Sequence, residues 1–324
     1  MLALTAMLVA ACGGAPEAVS TTTVGTTTTT PAATTTAAQT STTTAAVTFT
    51  GADGVDVTII DTSRIVSLGG DITEVIFELG LGESVVAIDV TTTHPGDAVA
   101  LPVVGFGQQL AAEPVLAFEP TLVIGDEMTA PTEAIDQLRA AGIPVVILPT
   151  QTTLEGVSTK IRQIAEILSA EEAGEELVQR VEAEIAAALT LAESVEGGLR
   201  VAYVYVRGPQ LLLLFGRGMA TNAMITGAGA VDAGAESGVM GVAPLTPEAL
   251  VAATPDVIVL PEAGLQALGG VEAFAALPGV ADTPAGRNGA LLAYDEAFFF
   301  NLGPRAGQAL EVFVRDLYPE LAGS

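Results

Sequence analysis

Side chains able to do chemistry are scarce in this chain. Its 324 residues hold one His, one Cys and four Tyr. His94 lies in Thr91-Thr92-Thr93-His94-Pro95-Gly96, directly after a run that reads as a strand, which places it in a loop at that strand's C-terminal end. In open α/β sheets ligands bind in the crevice outside such ends, and a neutral imidazole is a competent iron ligand. Tyr203-Val204-Tyr205-Val206-Arg207 alternates as a strand does. That puts Tyr203, Tyr205 and Arg207 on one face and Ala202, Val204 and Val206 on the other. A phenol with an ordinary pKa of about 10 binds ferric iron best as phenolate, and a guanidinium two residues along the same face favours that anion. On residue types alone both segments keep a plainer reading. His94 also reads as a solvent-exposed or helix-capping loop residue, and the Tyr–Arg segment as an amphipathic strand with aromatic surface packing.

Composition narrows the chemistry further. With 38 acidic against 11 basic residues the net charge is −27, a poor electrostatic match to phosphate backbones, so no nucleic-acid partner is expected. One Cys excludes a disulfide framework, a CxxC redox pair and a Cys-based zinc knuckle. One His excludes the multi-His zinc sites and HExxH. GxxxxGK[ST], GxSxG and GxGxxG are absent from the sequence, so nothing indicates nucleotide binding or acyl transfer. An enzyme would lack a nucleophile–base pair, and none is expected.

The elements that must position His94 and Tyr205 follow from the order of the chain. Residues 1–12 read as a signal peptide: Leu2–Ala11 is apolar but shorter than the ~20 residues a membrane span needs, and Val9-Ala10-Ala11-Cys12-Gly13 resembles a bacterial lipobox with Cys12 as the lipidated residue. Residues 13–52 are Thr-dominated and read as a disordered tether. Residues 53–152 alternate strand-like runs with helical ones. Ile72, Val75, Ile76 and Leu79 fall at i, i+3, i+4 and i+7 of one helix, and Pro131–Ala141 forms another, closed by Gly142. Residues 153–198 are predominantly helical, and their second part could run about 37 Å at ~1.5 Å per residue. Residues 199–324 resume the alternation. Glu113-Pro-Val-Leu-Ala-Phe-Glu-Pro-Thr-Leu-Val-Ile and Glu248-Ala-Leu-Val-Ala-Ala-Thr-Pro-Asp-Val-Ile-Val also echo one another as helix, Pro turn and strand. The expected fold class is α/β: two α/β lobes joined by a long linker helix, with a ligand cleft between them.

That organisation resembles the substrate-binding proteins of bacterial ABC importers, in the helical-linker class that carries cobalamin, siderophores and haem. The resemblance rests on RIVSLGGDITEVIFELGLGESVVAID (64–89), LPVVGFGQQLAAEPVLAFEPTLVIGDE (101–127), AAGIPVVILP (140–149), LTPEALVAATPDVIVL (245–260), GGVEAFAALPGVADTPAGRNGALLAYD (269–295) and GPRAGQALEVF (303–313). The Gly69-Gly70-Asp71 opening, Val104-Gly-Phe-x-Gln-Gln-Leu and the Leu-Pro-Gly…Thr-Pro-Ala-Gly-Arg-Asn ending look most like the haem-binding branch. The resemblance implies haem as the transported ligand. His94 and Tyr205 would be the axial iron ligands from opposite lobes, with Arg207 beside Tyr205. It also implies an ABC permease with its ATPase as partner, a monomeric body, and attachment by the Cys12 lipid to the outer face of the cell membrane. An exposed Glu74 would be a docking point for the permease, although Asp71-x-x-Glu74 equally fits a capping box. Asp232 or Glu236 would serve in the second lobe. Phe106, Met128, Phe215, Met219 and Phe298–Phe300 are candidate cleft walls, without assignment. The same scaffold could carry a ferric siderophore or cobalamin instead, and the Thr tract alone would also suit a stalked adhesion protein.

Overall fold

The computed structural model describes residues 46–195 and 197–323. The signal segment, Cys12 and most of the tether lie outside the described residues. The tether stops earlier than expected. Val47–Thr50 (β1) pairs antiparallel with Asp56–Ile59 (β2), because Phe49 and Ile59 bury themselves in the core and repay the ordering of the strand.

The first lobe is a parallel four-stranded sheet of Ile65–Ser67 (β3), Val85–Ile88 (β4), Leu122–Asp126 (β5) and Val145–Leu148 (β6), in the order β4-β3-β5-β6. Four helices accompany it: Gly70–Glu78 (α1), Gly96–Val99 (α2), Ala112–Leu116 (α3) and Thr132–Ala140 (α4). The periodic residues of α1 are buried as their spacing requires, Ile72 at 1% exposure and Val75 and Ile76 at 0%. Gly142 closes α4 in the left-handed region at φ 85.

The linker region is two helices, the second of them the long one. Leu154–Ile167 (α5) is capped by Thr153, whose hydroxyl accepts from Gly156 N, and Glu171–Ala192 (α6) follows with 22 residues, about 33 Å of helix.

In the second lobe Arg200–Val206 (β7), Leu212–Phe215 (β8), Val231–Asp232 (β9), Val242–Pro244 (β10), Val257–Pro261 (β11) and Leu291–Tyr294 (β12) form a mixed sheet. Its path is β10-β8-β7-β11-β12, with β9 also on β7. The helices are Ala220–Gly227 (α7), Ala233–Glu236 (α8), Pro247–Ala253 (α9), Glu262–Leu268 (α10), Val271–Ala275 (α11), Pro284–Asn288 (α12), Glu296–Phe299 (α13) and Ala306–Leu317 (α14). The echoed segments are α3 leading into β5 and α9 leading into β11.

One continuous apolar cluster runs from Ile65 and Ile72 through Ile161 and Val181 to Tyr203 and Phe313, so the two lobes and the linker share a core. Helix α14 seats on α6 through Gly307, where a Cβ would lie 2.6 Å from Glu184 Cβ and 2.7 Å from backbone atoms of Glu184 and Ile185. A side chain there would pry the helices apart. The second lobe is therefore seated on the linker by backbone proximity as well as by apolar area.

Candidate functional site

The loop after β4 is sewn to its own lobe. Asp89, 2% exposed, accepts from Thr91 N at 3.1 Å and Thr91 Oγ1 at 2.6 Å. The Thr91 hydroxyl in turn accepts from Gly70 N at 3.0 Å, and Thr92 meets the Thr73 hydroxyl at 3.2 Å. These bonds hold the backbone leading to His94, which is half-buried. The neighbouring Thr93 then reaches the other lobe, donating to Asp295 Oδ1 at 2.9 Å. Asp295 is the N-cap of α13 and accepts from Phe298 N.

On β7 the expected alternation holds, but its two tyrosines differ. Tyr203 is 2% exposed and belongs to the core, its ring 5.2 Å from Phe215 and stacked 5.8 Å from Phe299. Tyr205 is half-buried, and its hydroxyl donates to Glu296 Oε1 at 3.2 Å while accepting from Arg207 Nε at 2.8 Å. Arg207 Nη2 donates to Glu296 Oε2 at 3.3 Å, and its guanidinium lies 4.8 Å over the ring of Phe106 from the first lobe. Tyr205, Arg207 and Glu296 thus form one ring of hydrogen bonds. Thr93, the residue before His94, is bonded to Asp295, the residue before Glu296; His94 itself makes no hydrogen bond to the ring.

The electrostatics differ from expectation in one respect. Arg207 does pull the Tyr205 phenol down, but burial and the Glu296 carboxylate outweigh it, and the phenol lies above its ordinary value. Sequence reasoning missed Glu296. The rule that located His94 points to it as well, since Asp295 and Glu296 directly follow β12.

Between the lobes lies a cleft lined by residues of both. Phe106, Met128, Met219 and Phe300 are among its walls, whereas Phe215 and Phe299 are core. Glu296 also faces it. Its first-lobe end is polar, with Asp71, Asp89, Asp126 and Lys160. Burial and the nearby Asp71 push Asp126 up to about 6, and burial raises Asp89. Lys160, 5% exposed, is ion-paired with Asp71 and donates to the carbonyl of Asn301 at 3.1 Å.

Two expected docking residues are not at the surface. Glu74 is 2% exposed, and both its carboxylate oxygens accept from Arg305 at 2.9 Å. It does not close a capping box either: Gly69 is the N-cap of α1 without a side-chain bond, and Asp71 is engaged by Lys160. Asp232 is 4% exposed and caps α8, accepting from Ala235 N and Asn222 Nδ2 at 2.9 Å each. Glu236, the other residue considered there, is exposed.

Comparison with known proteins adds to this geometry. The family described as "Periplasmic binding protein" matches residues 65–297. An uncharacterized ABC transporter substrate-binding lipoprotein of Bacillus subtilis, YvrC, is 28% identical over 281 residues, 85% of this chain and 86% of that protein. Among solved structures, the periplasmic heme-binding protein RhuT from Roseiflexus sp. RS-1 is 42% identical with a TM-score of 0.78, over 81% of this chain and 100% of RhuT. The heme binding protein HmuT is 36% identical with a TM-score of 0.81, over 85% of this chain and 91% of HmuT. HmuT has also been solved with one His, one Tyr or one Arg replaced by Ala.

Proposed function

Because the chain belongs to the periplasmic binding protein family, we propose that it is an extracytoplasmic haem-binding protein that captures haem and delivers it to an ABC importer for haem and iron uptake. His94 and Tyr205 are the axial ligands of the iron in this reading, and Arg207 is the cation that steadies the Tyr205 oxygen. One observation carries it: from lobe to lobe, the loop that bears His94 is bonded through Thr93 and Asp295 to the segment whose next residue, Glu296, holds Tyr205 and Arg207. An imidazole from one lobe and a phenol from the other suit a planar iron porphyrin, whose two open coordination positions face opposite ways. A small number of polar donors on apolar walls is what such a ligand needs. The relatives named heme-binding support the same ligand.

The role is capture and hand-over, with no chemical step assigned to the protein. The shared core and the buried pairs Glu74–Arg305 and Asp71–Lys160 favour modest lobe motion, with release driven by docking to a permease and its ATPase. A lipid on Cys12 would hold the body, as a monomer, at the outer face of the membrane; among the described residues no helix is long and apolar enough to cross a membrane.

The test is an absorption titration of the full chain with ferric haem, alongside His94→Ala and Tyr205→Phe. A saturable Soret shift at one haem per chain, altered in both variants, is the expected result. Weak partitioning that is the same in all three proteins would sink the reading and turn attention to siderophores and corrinoids.

A further inference from the structure

The two groups that the iron site would use are already engaged by a third. The phenol oxygen of Tyr205 donates to Glu296 and accepts from Arg207, and Arg207 donates to both Tyr205 and Glu296. Each of these hydrogen bonds has an ionised group at one end, and the Arg207–Glu296 bond at both, which makes them the stronger sort. A ligand that needs the Tyr205 oxygen and the Arg207 guanidinium meets a carboxylate that holds them both.

Glu296 is placed to let go. Its side chain is 24% exposed, it faces the cleft, and it opens a helix of only four residues. Asp295 beside it is committed elsewhere, to the Phe298 N–H and to Thr93 of the opposite lobe. Asp295 would have to give up both bonds of its Oδ1 to turn into the ring when Glu296 swings away. Among the described residues the guanidinium otherwise rests on the faces of Phe106 and Tyr205, contacts that use no N–H group and leave its donors able to turn toward a new acceptor.

We infer that Glu296 is an internal competitor for the ligand, holding Tyr205 and Arg207 in a hydrogen-bonded ring that must open before an iron porphyrin can use either. This rests on the assignment of Tyr205 and Arg207 to haem. Its consequence is kinetic. A protein whose binding-competent form is a fraction of the whole has its apparent affinity reduced by that fraction. The ring is absent from the complex, so the cost falls on association and dissociation is spared.

The experiment is stopped-flow capture of ferric haem by the full chain and by Glu296→Gln and Glu296→Ala. Each is run at low salt and at about 0.5 M salt, where long-range steering by surface charge is screened. Thermal unfolding of each protein confirms that it is folded. Association about tenfold faster in both variants at both salt concentrations, with dissociation unchanged, is expected if about a tenth of the molecules have the ring open. Unchanged or slower association in the variants, while the parent still binds haem, overturns the competitor and leaves the haem reading standing. A gain that disappears at high salt also overturns it, since the carboxylate would then act only by repelling an anionic ligand. A parent that shows no saturable Soret change removes the haem reading itself, and the competitor with it.

Discussion

Glu74 and Arg305, 231 residues apart, meet in a two-pronged ion pair in which Nε and Nη2 of the guanidinium each lie 2.9 Å from a different carboxylate oxygen. The pair ties the first helix of one lobe to the start of the last long helix of the other. Removing one partner of a buried pair leaves the other charge uncompensated. Arg305→Ala is therefore expected to cost about 3 kcal/mol, the lower end of the range for such pairs, because a fifth of the Arg305 side chain reaches solvent. Glu74→Gln should cost less, and the double variant less than the sum. Urea denaturation checks all three, and a loss below 0.5 kcal/mol in Arg305→Ala, roughly the scatter of surface substitutions, would show that the pair does not lock the lobes.

Arg207 offers two differently aimed N–H groups, Nε to Tyr205 and Nη2 to Glu296. Losing a charge-assisted hydrogen bond of about 1.5–3 kcal/mol corresponds to a roughly 10- to 100-fold weaker grip on ferric haem. That loss is the expected result for Arg207→Ala. Arg207→Lys should recover little, since an ammonium cannot reproduce the planar fork. A haem titration in which Lys fully replaces Arg would reduce Arg207 to a diffuse positive charge.

Asp126 holds its proton up to about pH 6 in the folded protein, against an ordinary value of 3.8. Between those values the folded chain binds more protons than the unfolded one, so this group's contribution to stability falls as pH rises through the window and is constant above it. Asp126→Asn is expected to stabilise the protein at pH 7–8 by about 3 kcal/mol, with no gain below about pH 4. Denaturation midpoints across that range test it, and an equal gain at every pH would mean that the carboxyl is not the cause.

Helix α10 lies against the strand that carries the site. A Cβ on Gly264 would lie 2.0 Å from the carbonyl oxygen of Val206, the residue between Tyr205 and Arg207. Gly264→Ala must shift β7 or α10, for about 1–3 kcal/mol of lost stability, and should weaken haem binding with it. Unfolding and haem titration on one preparation read both, and full affinity at reduced stability would show that α10 absorbs the shift.

Some of this was legible in the sequence because the signals are local. The spacing of Ile72, Val75 and Ile76 and the Gly142 stop each act over a few residues, and both helices formed where they were expected. The rule that binding groups sit past the C-terminal ends of strands located His94 and, applied to β12, leads to Glu296. The tether boundary failed for a long-range reason: Val47–Thr50 becomes a strand only because Phe49 finds a core assembled from distant segments.

The sequence by itself determined the two-lobed α/β pattern, the loop that carries His94 and the common face of Tyr205 and Arg207, since these depend on periodicity and turn residues. Tertiary structure alone decided the charges. Glu74 looked like a surface acid and is buried against Arg305, Asp232 caps a helix inside its lobe, and the Tyr205 phenol is raised although an Arg adjoins it. Whether a carboxylate faces water, a guanidinium or a phenol depends on which surfaces the lobes bury together. In Glu74 and Arg305 those partners stand hundreds of residues apart, beyond the reach of any local pattern.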